Sequence, residues 1–207
     1  MTPSAIIIGA GPGIGTAVAR RLAREGFAVG LVARSAATLA EARDALGGAV
    51  HAVTADVTDE AALRAALDEL VDRLGTPEVL VYNAALIQAD VPGELSAQQH
   101  LDAYAVNVVG AITAASQLAP RMAGGTILLT GGMPEPIPDV TSLSLGKAGL
   151  RALTELLQKH YADVHVATIT VGGAVAPGTD YDPDDIAEHY WRLHAQPAGA
   201  WEHEVLH

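Results

Sequence analysis

An apolar run followed at once by a glycine-rich turn decides the fold: Ala5-Ile6-Ile7-Ile8, then Gly9-Ala10-Gly11-Pro12-Gly13-Ile14-Gly15. The β-branched run predicts a buried strand. The residues after the turn place Val18 and Leu22 on one apolar face, which predicts a helix. A strand, a glycine turn and a helix together form a phosphate cradle, because glycine lets the backbone approach a phosphate closely and the helix N-terminus offers free N–H groups.

The spacing of these glycines distinguishes between two sequence patterns for such a phosphate-binding turn. Gly9 and Gly11 begin a G-x-G-x-x-G pattern, but Ile14 occupies its last position. Gly9, Gly13 and Gly15 fit G-x-x-x-G-x-G instead. We therefore expect a dinucleotide to bind at this turn. The predicted contacts are Gly9, Gly11, Pro12, Gly13, Ile14 and Gly15.

Length and composition limit the class of protein. A chain of 207 residues, half of them hydrophobic, suits one globular domain over 1–207. The net charge of −12 and the presence of only two lysines argue against partners such as nucleic acid or an anionic membrane surface. The absence of cysteine excludes disulfides and thiolate chemistry. We expect no signal peptide, no membrane span and a cytoplasmic protein.

Strand-like and helix-like runs alternate along the whole chain. The predicted strands lie near 5–9, 27–33, 49–54, 78–82, 125–130 and 164–171. The predicted helices lie near 14–25, 36–46, 59–73, 97–119 and 142–161. Glycines stand where helices should stop, at Gly26, Gly47-Gly48, Gly75 and Gly124-Gly125. This alternation predicts a doubly wound parallel sheet of six to seven strands, the Rossmann fold, in a single α/β domain.

The end of the second predicted strand bears on the choice of cofactor. It reads Val32-Ala33-Arg34-Ser35 and lacks the Asp or Glu that usually meets a free ribose 2′-hydroxyl. The guanidinium of Arg34 suits a 2′-phosphate, so we expect NADP(H) rather than NAD(H).

Six motifs follow one another along the chain. They are the turn at 9–15, Asp56-Val57, Tyr82-Asn83-Ala84-Ala85, Val106-Asn107-Val108-Val109-Gly110, Lys147-Ala148-Gly149-Leu150 and Pro183-Asp184-Asp185-Ile186-Ala187. In this order and at these separations they resemble the short-chain dehydrogenase/reductase family over nearly the whole length. The resemblance implies that Asp56 and Val57 contact the adenine and that Asn83, Ala84 and Ala85 line the cofactor. It also implies a homodimer or homotetramer paired through helices like those near 97–119 and 142–161.

The resemblance implies catalytic roles for Asn107 and Lys147, with the lysine also holding the nicotinamide ribose. The family's tyrosine, which exchanges a proton with the substrate oxygen, falls at Leu143. Its serine falls within Thr130, Gly131 and Gly132. The chain therefore lacks the tyrosine, and the serine is missing or replaced.

Several other groups could supply a proton, and the sequence does not choose among them. Ser144 is three residues before Lys147, and Ser142 lies farther round the same helix. The remaining candidates are Tyr104, Tyr161, Tyr181, Tyr190 and the loop carboxylates Glu135 and Asp139. Two functions stay open. The first is an oxidoreductase that transfers hydride between NADPH and a small carbonyl or alcohol with a non-standard proton donor. The second is a catalytically inactive nucleotide-binding or sensor protein, which Leu143 favours.

The last five residues, His203-Glu204-Val205-Leu206-His207, match the H-E-x-x-H form of zinc proteases. That form places two imidazoles on one face of a helix, where they share a metal. Because the pattern occupies the last five residues given, we expect neither a continuing helix nor a third ligand, interpret it as a chance match and predict no metal site.

Overall fold

Strands and helices alternate along the chain in the computed structural model, which describes residues 2–47 and 50–207. The strands are β1 (Ser4–Ile8), β2 (Ala28–Ala33), β3 (Val50–Thr54), β4 (Val79–Tyr82), β5 (Thr126–Gly132), β6 (His165–Val171) and β7 (Glu204–Leu206). The helices are α1 (Ile14–Arg24), α2 (Ala36–Leu46), α3 (Glu60–Leu74), α4 (Ala97–Tyr104), α5 (Gly110–Leu118), α6 (Thr141–His160) and α7 (Pro183–His194). The predicted helix stop at Gly48 and strand start at residue 49 lie outside the described residues.

All seven strands run parallel in one sheet, in the order β3-β2-β1-β4-β5-β6-β7. This confirms the doubly wound α/β fold. The order reverses between β1 and β4, because the chain first builds outward through β2 and β3 and then crosses back. At such a switch point the loops diverge and leave a crevice at the carboxyl ends of the strands.

Helices cover both faces of the sheet, and alternate side chains of β1 show how. Ile6 and Ile8 are fully buried against the layer formed by α3, α5 and α6. Ile7, also fully buried, packs against the layer formed by α1, α2 and α7. A strand covered on both faces has no polar side, which explains the unbroken apolar run that first marked it in the sequence.

The helix predicted near 97–119 is not a single α-helix. A π-helical turn at Ala105–Val109 separates α4 from α5, and a 3-10 turn at Ala119–Arg121 ends the segment. The π turn contains Asn107, whose side chain bonds to the backbone of Leu86. A wider turn of this kind is frequent at functional sites.

The strand β7 was not predicted. It shows that the H-E-x-x-H pattern does not lie on a helix, as a zinc-protease site of this form would require. His203 and His207 flank a strand rather than share a helix face. His203 Nδ1 lies 3.0 Å from the carbonyl oxygen of Val166, and His207 Nδ1 lies 2.9 Å from His189 Nε2. Over residues 2–47 and 50–207, no three metal-binding side chains cluster. Within the same ranges, no helix has the length and apolar character that crossing a membrane requires.

The rings of His189 and His207 lie within hydrogen-bond distance of each other. His207 Nε2 lies 2.9 Å from the carbonyl oxygen of Asp180 and donates to it, so His207 Nδ1 accepts from His189 Nε2. His189 Nδ1 is then a buried acceptor without a partner in the described chain.

We expect the melting temperature to fall as the pH drops from about 7.5 to about 5.5. Burial lowers the pKa of His165, His189 and His194 below the ordinary 6.5, so the unfolded chain takes up protons first and is favoured by acid. Each unit of lowering costs about 1.4 kcal/mol at acid pH. For a chain of this size, that is roughly 2–4 °C.

Thermal melting followed by circular dichroism across this range measures the effect. His189→Gln can still donate to His207 but cannot become charged, so its melting temperature should fall less steeply than that of the unmodified chain. A melting temperature that does not change over the range would contradict the expectation.

Candidate functional site

A cavity of about 500 Å³ opens at the switch point, along the carboxyl edge of the sheet. One half lies beyond β1, β2 and β3 and is lined by Gly9, Gly11, Gly13, Arg34, Thr38 and Val57. The other half lies beyond β4, β5 and β6 and is lined by Leu86, Ile87, Met133, Leu143, Lys147 and Val175. The loop just after β4 borders the cavity where its two halves meet, through Asn83, Ala84 and Ala85.

The glycine turn fits against the loop after β4 because two of its residues have no side chain. A Cβ on Gly9, which has a φ of 89°, would lie 2.4 Å from the backbone nitrogen of Ala84. A Cβ on Gly15 would lie 2.3 Å from the carbonyl oxygen of Gly9. That same oxygen accepts a hydrogen bond of 2.8 Å from Asn83 Nδ2. A Cβ on Gly11, in contrast, would meet nothing within 4 Å, since this residue faces the open cavity.

Most of the predicted cofactor contacts border the cavity, but three do not. Pro12 is exposed outside it, and Gly15 is buried beneath Gly9. The carboxylate of Asp56 accepts hydrogen bonds from the backbone N–H and the hydroxyl of Thr58, and these bonds lower its pKa. Asp56 therefore stabilises the turn before α3, and its neighbour Val57 is the residue that faces the cavity.

Arg34 is an exposed side chain at the end of β2 and faces the first half of the cavity. No described carboxylate lies within 4 Å of its guanidinium. Its charge helps to lower the pKa of Asp56 but forms no ion pair within 4 Å, so the guanidinium can still meet an anionic group in that half.

Lys147 is the buried cation of the second half. It lies on α6 with only 5% of its surface exposed, and its Nζ donates a 2.7 Å hydrogen bond to the carbonyl oxygen of Thr130. Within the described residues its ammonium has no carboxylate partner. Burial lowers the pKa of Lys147 to about 8.

Within the described part of the chain, no side-chain hydroxyl is hydrogen-bonded to Lys147. Leu143, one helical turn earlier, is buried and lines the cavity. A Cβ on Gly132 would lie 3.7 Å from Lys147 Cε, so this is the position from which a serine would project toward the lysine. A Cβ on Gly131 would instead collide with Thr168, and the hydroxyl of Thr130 lies 2.6 Å from that of Tyr190.

Asn107 is fully buried and does not line the cavity. Its Oδ1 accepts a 3.0 Å hydrogen bond from the backbone N–H of Leu86, and its Nδ2 lies 3.4 Å from the carbonyl oxygen of the same residue. Gly146 allows α6 to approach, since a Cβ there would lie 2.6 Å from Asn107 Cβ. The asparagine therefore positions the loop after β4 against α6.

The two candidate serines on α6 are bonded away from the cavity. The hydroxyl of Ser144 accepts from the backbone N–H of Ile137 at 3.0 Å. Ser142 donates from both its backbone N–H and its hydroxyl to the buried carboxylate of Asp90. Asp90 thus caps the helix that carries Leu143 and Lys147, and no sequence pattern pointed to it because its partner lies 52 residues away.

The other candidate donors also lie outside the cavity lining. The ring of Tyr181 packs on Gly172 and Gly173. Tyr190 is fully buried, and burial raises its pKa well above the usual range. The others, Tyr104, Tyr161, Glu135 and Asp139, are absent from the lining.

Comparison with known proteins identifies the family. The short chain dehydrogenase family model matches residues 3–184. Glucose 1-dehydrogenase 2 of Bacillus subtilis (strain 168) is 29% identical over 187 residues, which cover 85% of this chain and 71% of that protein.

Solved structures give the same result. An alcohol dehydrogenase from Thermococcus sibiricus, complexed with 5-hydroxy-NADP, superposes with a TM-score of 0.89 at 28% identity, covering 100% of this chain and 96% of the other. A metagenomic short-chain oxidoreductase in complex with NADP has a TM-score of 0.89 at 26% identity, covering 99% and 96% of the two chains.

We expect Gly15→Ala and Gly11→Ala to have opposite consequences. The methyl of Gly15→Ala would press on a backbone oxygen, so the free energy of unfolding should fall by about 1–3 kcal/mol. The methyl of Gly11→Ala would enter the cavity and leave stability within about 0.5 kcal/mol, but should weaken nucleotide binding. Urea unfolding measures the first effect and nucleotide fluorescence the second. Equal losses of stability in the two variants would show that the turn is not packed as described.

Proposed function

The chain belongs to the short chain dehydrogenase family, and we propose that it is an NADP(H)-dependent oxidoreductase acting on a small carbonyl or alcohol compound. The observation that carries the proposal is one continuous cavity with the glycine cradle and Arg34 in one half and Lys147 in the other. The two solved relatives with bound NADP or its analogue support the choice of cofactor.

The residues of the first half suit a phosphorylated nucleotide. The N-terminus of α1 has no side-chain cap, so its first N–H groups are open to an anion. Gly11 leaves space for the pyrophosphate, and Arg34 is placed for a 2′-phosphate. In the second half, one of the two free N–H groups of Lys147 would hold a hydroxyl of the nicotinamide ribose. When bound, the cofactor supplies or accepts the hydride.

The second half suits a small, uncharged substrate. Its walls include Leu86, Ile87, Met133, Leu143 and Val175, which offer apolar surface. The polar atoms there that could orient a substrate oxygen are few, and Lys147 is the charged one among the described lining residues. A carbonyl compound with apolar substituents fits this surface better than a sugar or a dicarboxylate does.

A second function stays open because of Leu143 and Gly132. These positions carry no hydroxyl beside Lys147, so the usual route for a proton to the substrate oxygen is absent. A protein that binds the nucleotide and does not turn it over, such as a nucleotide sensor, would have this arrangement.

A second copy of the chain is the partner that the surface suits best. The helices α4, α5 and α6 carry exposed apolar side chains, namely Leu101, Tyr104, Ile112, Leu145 and Leu156. The helices α4 and α6 lie side by side, because a Cβ on Gly149 would be 3.1 Å from the hydroxyl of Tyr104. We therefore propose a homodimer or homotetramer in which these helices pair with their copies and bury this surface.

A paired experiment tests the two functions. NADPH fluorescence measures binding, and loss of absorbance at the reduced nicotinamide measures turnover across a panel of uncharged aldehydes and ketones. We expect binding together with turnover of apolar members. Binding without any turnover would favour the sensor, and no binding would overturn both functions.

We expect Arg34→Ser to weaken NADPH binding by roughly 10- to 100-fold, as for the loss of a charge-assisted hydrogen bond. NADH binding should not change, because NADH has no 2′-phosphate. Arg43→Ser, on α2 and outside this cavity, removes the same charge and should leave both affinities unchanged. Equal losses for NADPH and NADH in Arg34→Ser would contradict the selectivity argument.

A further inference from the structure

The cavity offers few groups that can exchange a proton. Among the described lining residues, only Arg34 and Lys147 have ionisable side chains. Arg34 lies beyond β2, in the half that suits the adenosine end of the nucleotide, and a guanidinium does not give up its proton near neutral pH. In the half that suits the substrate, Lys147 is the ionisable side chain.

Hydroxyl groups near this half are already engaged. The hydroxyl of Thr130 pairs with Tyr190 at 2.6 Å, and that of Tyr82 donates to the carbonyl oxygen of Val106 at 2.6 Å. Neither tyrosine lines the cavity, and burial raises the pKa of both above the usual range. These hydroxyls are therefore poor proton donors to a bound substrate.

The ammonium of Lys147 is positioned to donate. One of its three N–H groups bonds to the carbonyl oxygen of Thr130, and the other two have no partner in the described chain. Leu143, one helical turn before it, lines the same cavity and contributes apolar surface there.

We propose that Lys147 is the catalytic acid of this pocket and delivers the proton to the substrate oxygen. In carbonyl reduction, the carbon gains a hydride from a reduced nicotinamide nucleotide, and the oxygen gains the proton that an N–H bond of Lys147 loses. The lysine becomes a neutral amine, and water reprotonates it. In alcohol oxidation the amine takes the proton back. The proposal rests on the oxidoreductase function proposed above.

The titration of this group agrees with that role. Burial lowers the pKa of Lys147 to about 8, so both the ammonium and the amine are accessible near neutral pH. A general acid works best when its pKa is near the working pH. The ammonium is the active form in reduction, so the rate should fall as the pH rises through about 8.

The first test does not depend on activity. Lysine labelled with carbon-13 at Cε gives two signals in the full chain, because Lys147 and Lys159 are its only lysines. Lys159→Arg, at an exposed position paired with Glu155, removes one signal and assigns the other. We expect the Lys147 signal to titrate near 8. A midpoint at the ordinary 10.5 would overturn the proposal whatever the enzyme does.

The second test separates binding from proton transfer. Lys147→Arg keeps the positive charge and its N–H donors but holds its proton above neutral pH. We expect it to lower kcat for an uncharged aldehyde by about 100- to 10,000-fold. Its dissociation constant for NADPH should change less than about tenfold, which corresponds to about 1.4 kcal/mol. Lys159→Arg should match the unmodified chain in both quantities.

The pH profile completes the test. In the unmodified chain, kcat/KM for reduction should fall with the same midpoint as the Lys147 signal. If Lys147→Arg fails to melt cooperatively, Lys147→Met provides the comparison, and its residual rate should not follow that midpoint. Variants that keep both the rate and the pH profile would assign the proton to water or another group and leave the oxidoreductase function standing. NADPH binding without turnover by the unmodified chain would overturn both proposals together.

Discussion

The close approach of two backbone turns, after β1 and after β4, is the constraint on which the cavity depends. Gly9 contacts the backbone at Ala84, Gly15 contacts the carbonyl oxygen of Gly9, and Asn83 donates a hydrogen bond to that oxygen. A Cβ at either glycine would require the turns to separate. Their contact fixes where α1 begins and therefore where its free N–H groups point. The cavity is the space left above that contact as the strand order reverses.

Features set by neighbouring residues could be predicted from the sequence. The glycine turn, the buried strands and most helices depend on local spacing and apolar periodicity, and the structure confirms the parallel sheet that they imply. The strand β7 could not be predicted, because three residues give no periodic pattern and its pairing with β6 supplies the stability. The π-helical turn was missed because contacts with Leu86, 21 residues away, accompany it.

The same distinction applies to the candidate site. Arg34 and Lys147 both line the cavity, and both could be found in the sequence because Arg34 directly follows a recognisable strand and Lys147 lies within a recognisable helix. Asp90 went unnoticed because its bonds to Ser142 join a loop to the start of α6, and the two are close only in the folded chain. Sequence also left three positions open for the missing serine. Of the three, Gly132 is the one where a Cβ would lie close to Lys147, whereas Gly131 and Thr130 contact other neighbours.

The charge distribution shows why these two cations matter in an acidic protein. At physiological ionic strength charges farther than about 8 Å are largely screened, so the net charge of −12 opposes an anionic ligand less than nearby charges attract it. Arg34 is exposed, and its charge costs little to maintain. Lys147 is different, because lowering its pKa from 10.5 to about 8 corresponds to about 3 kcal/mol of lost stability at neutral pH. With no described carboxylate to offset that cost, a methionine would pack there more favourably. Folding stability alone therefore does not account for a lysine at this buried position. A ligand that accepts hydrogen bonds from its free N–H groups does account for it.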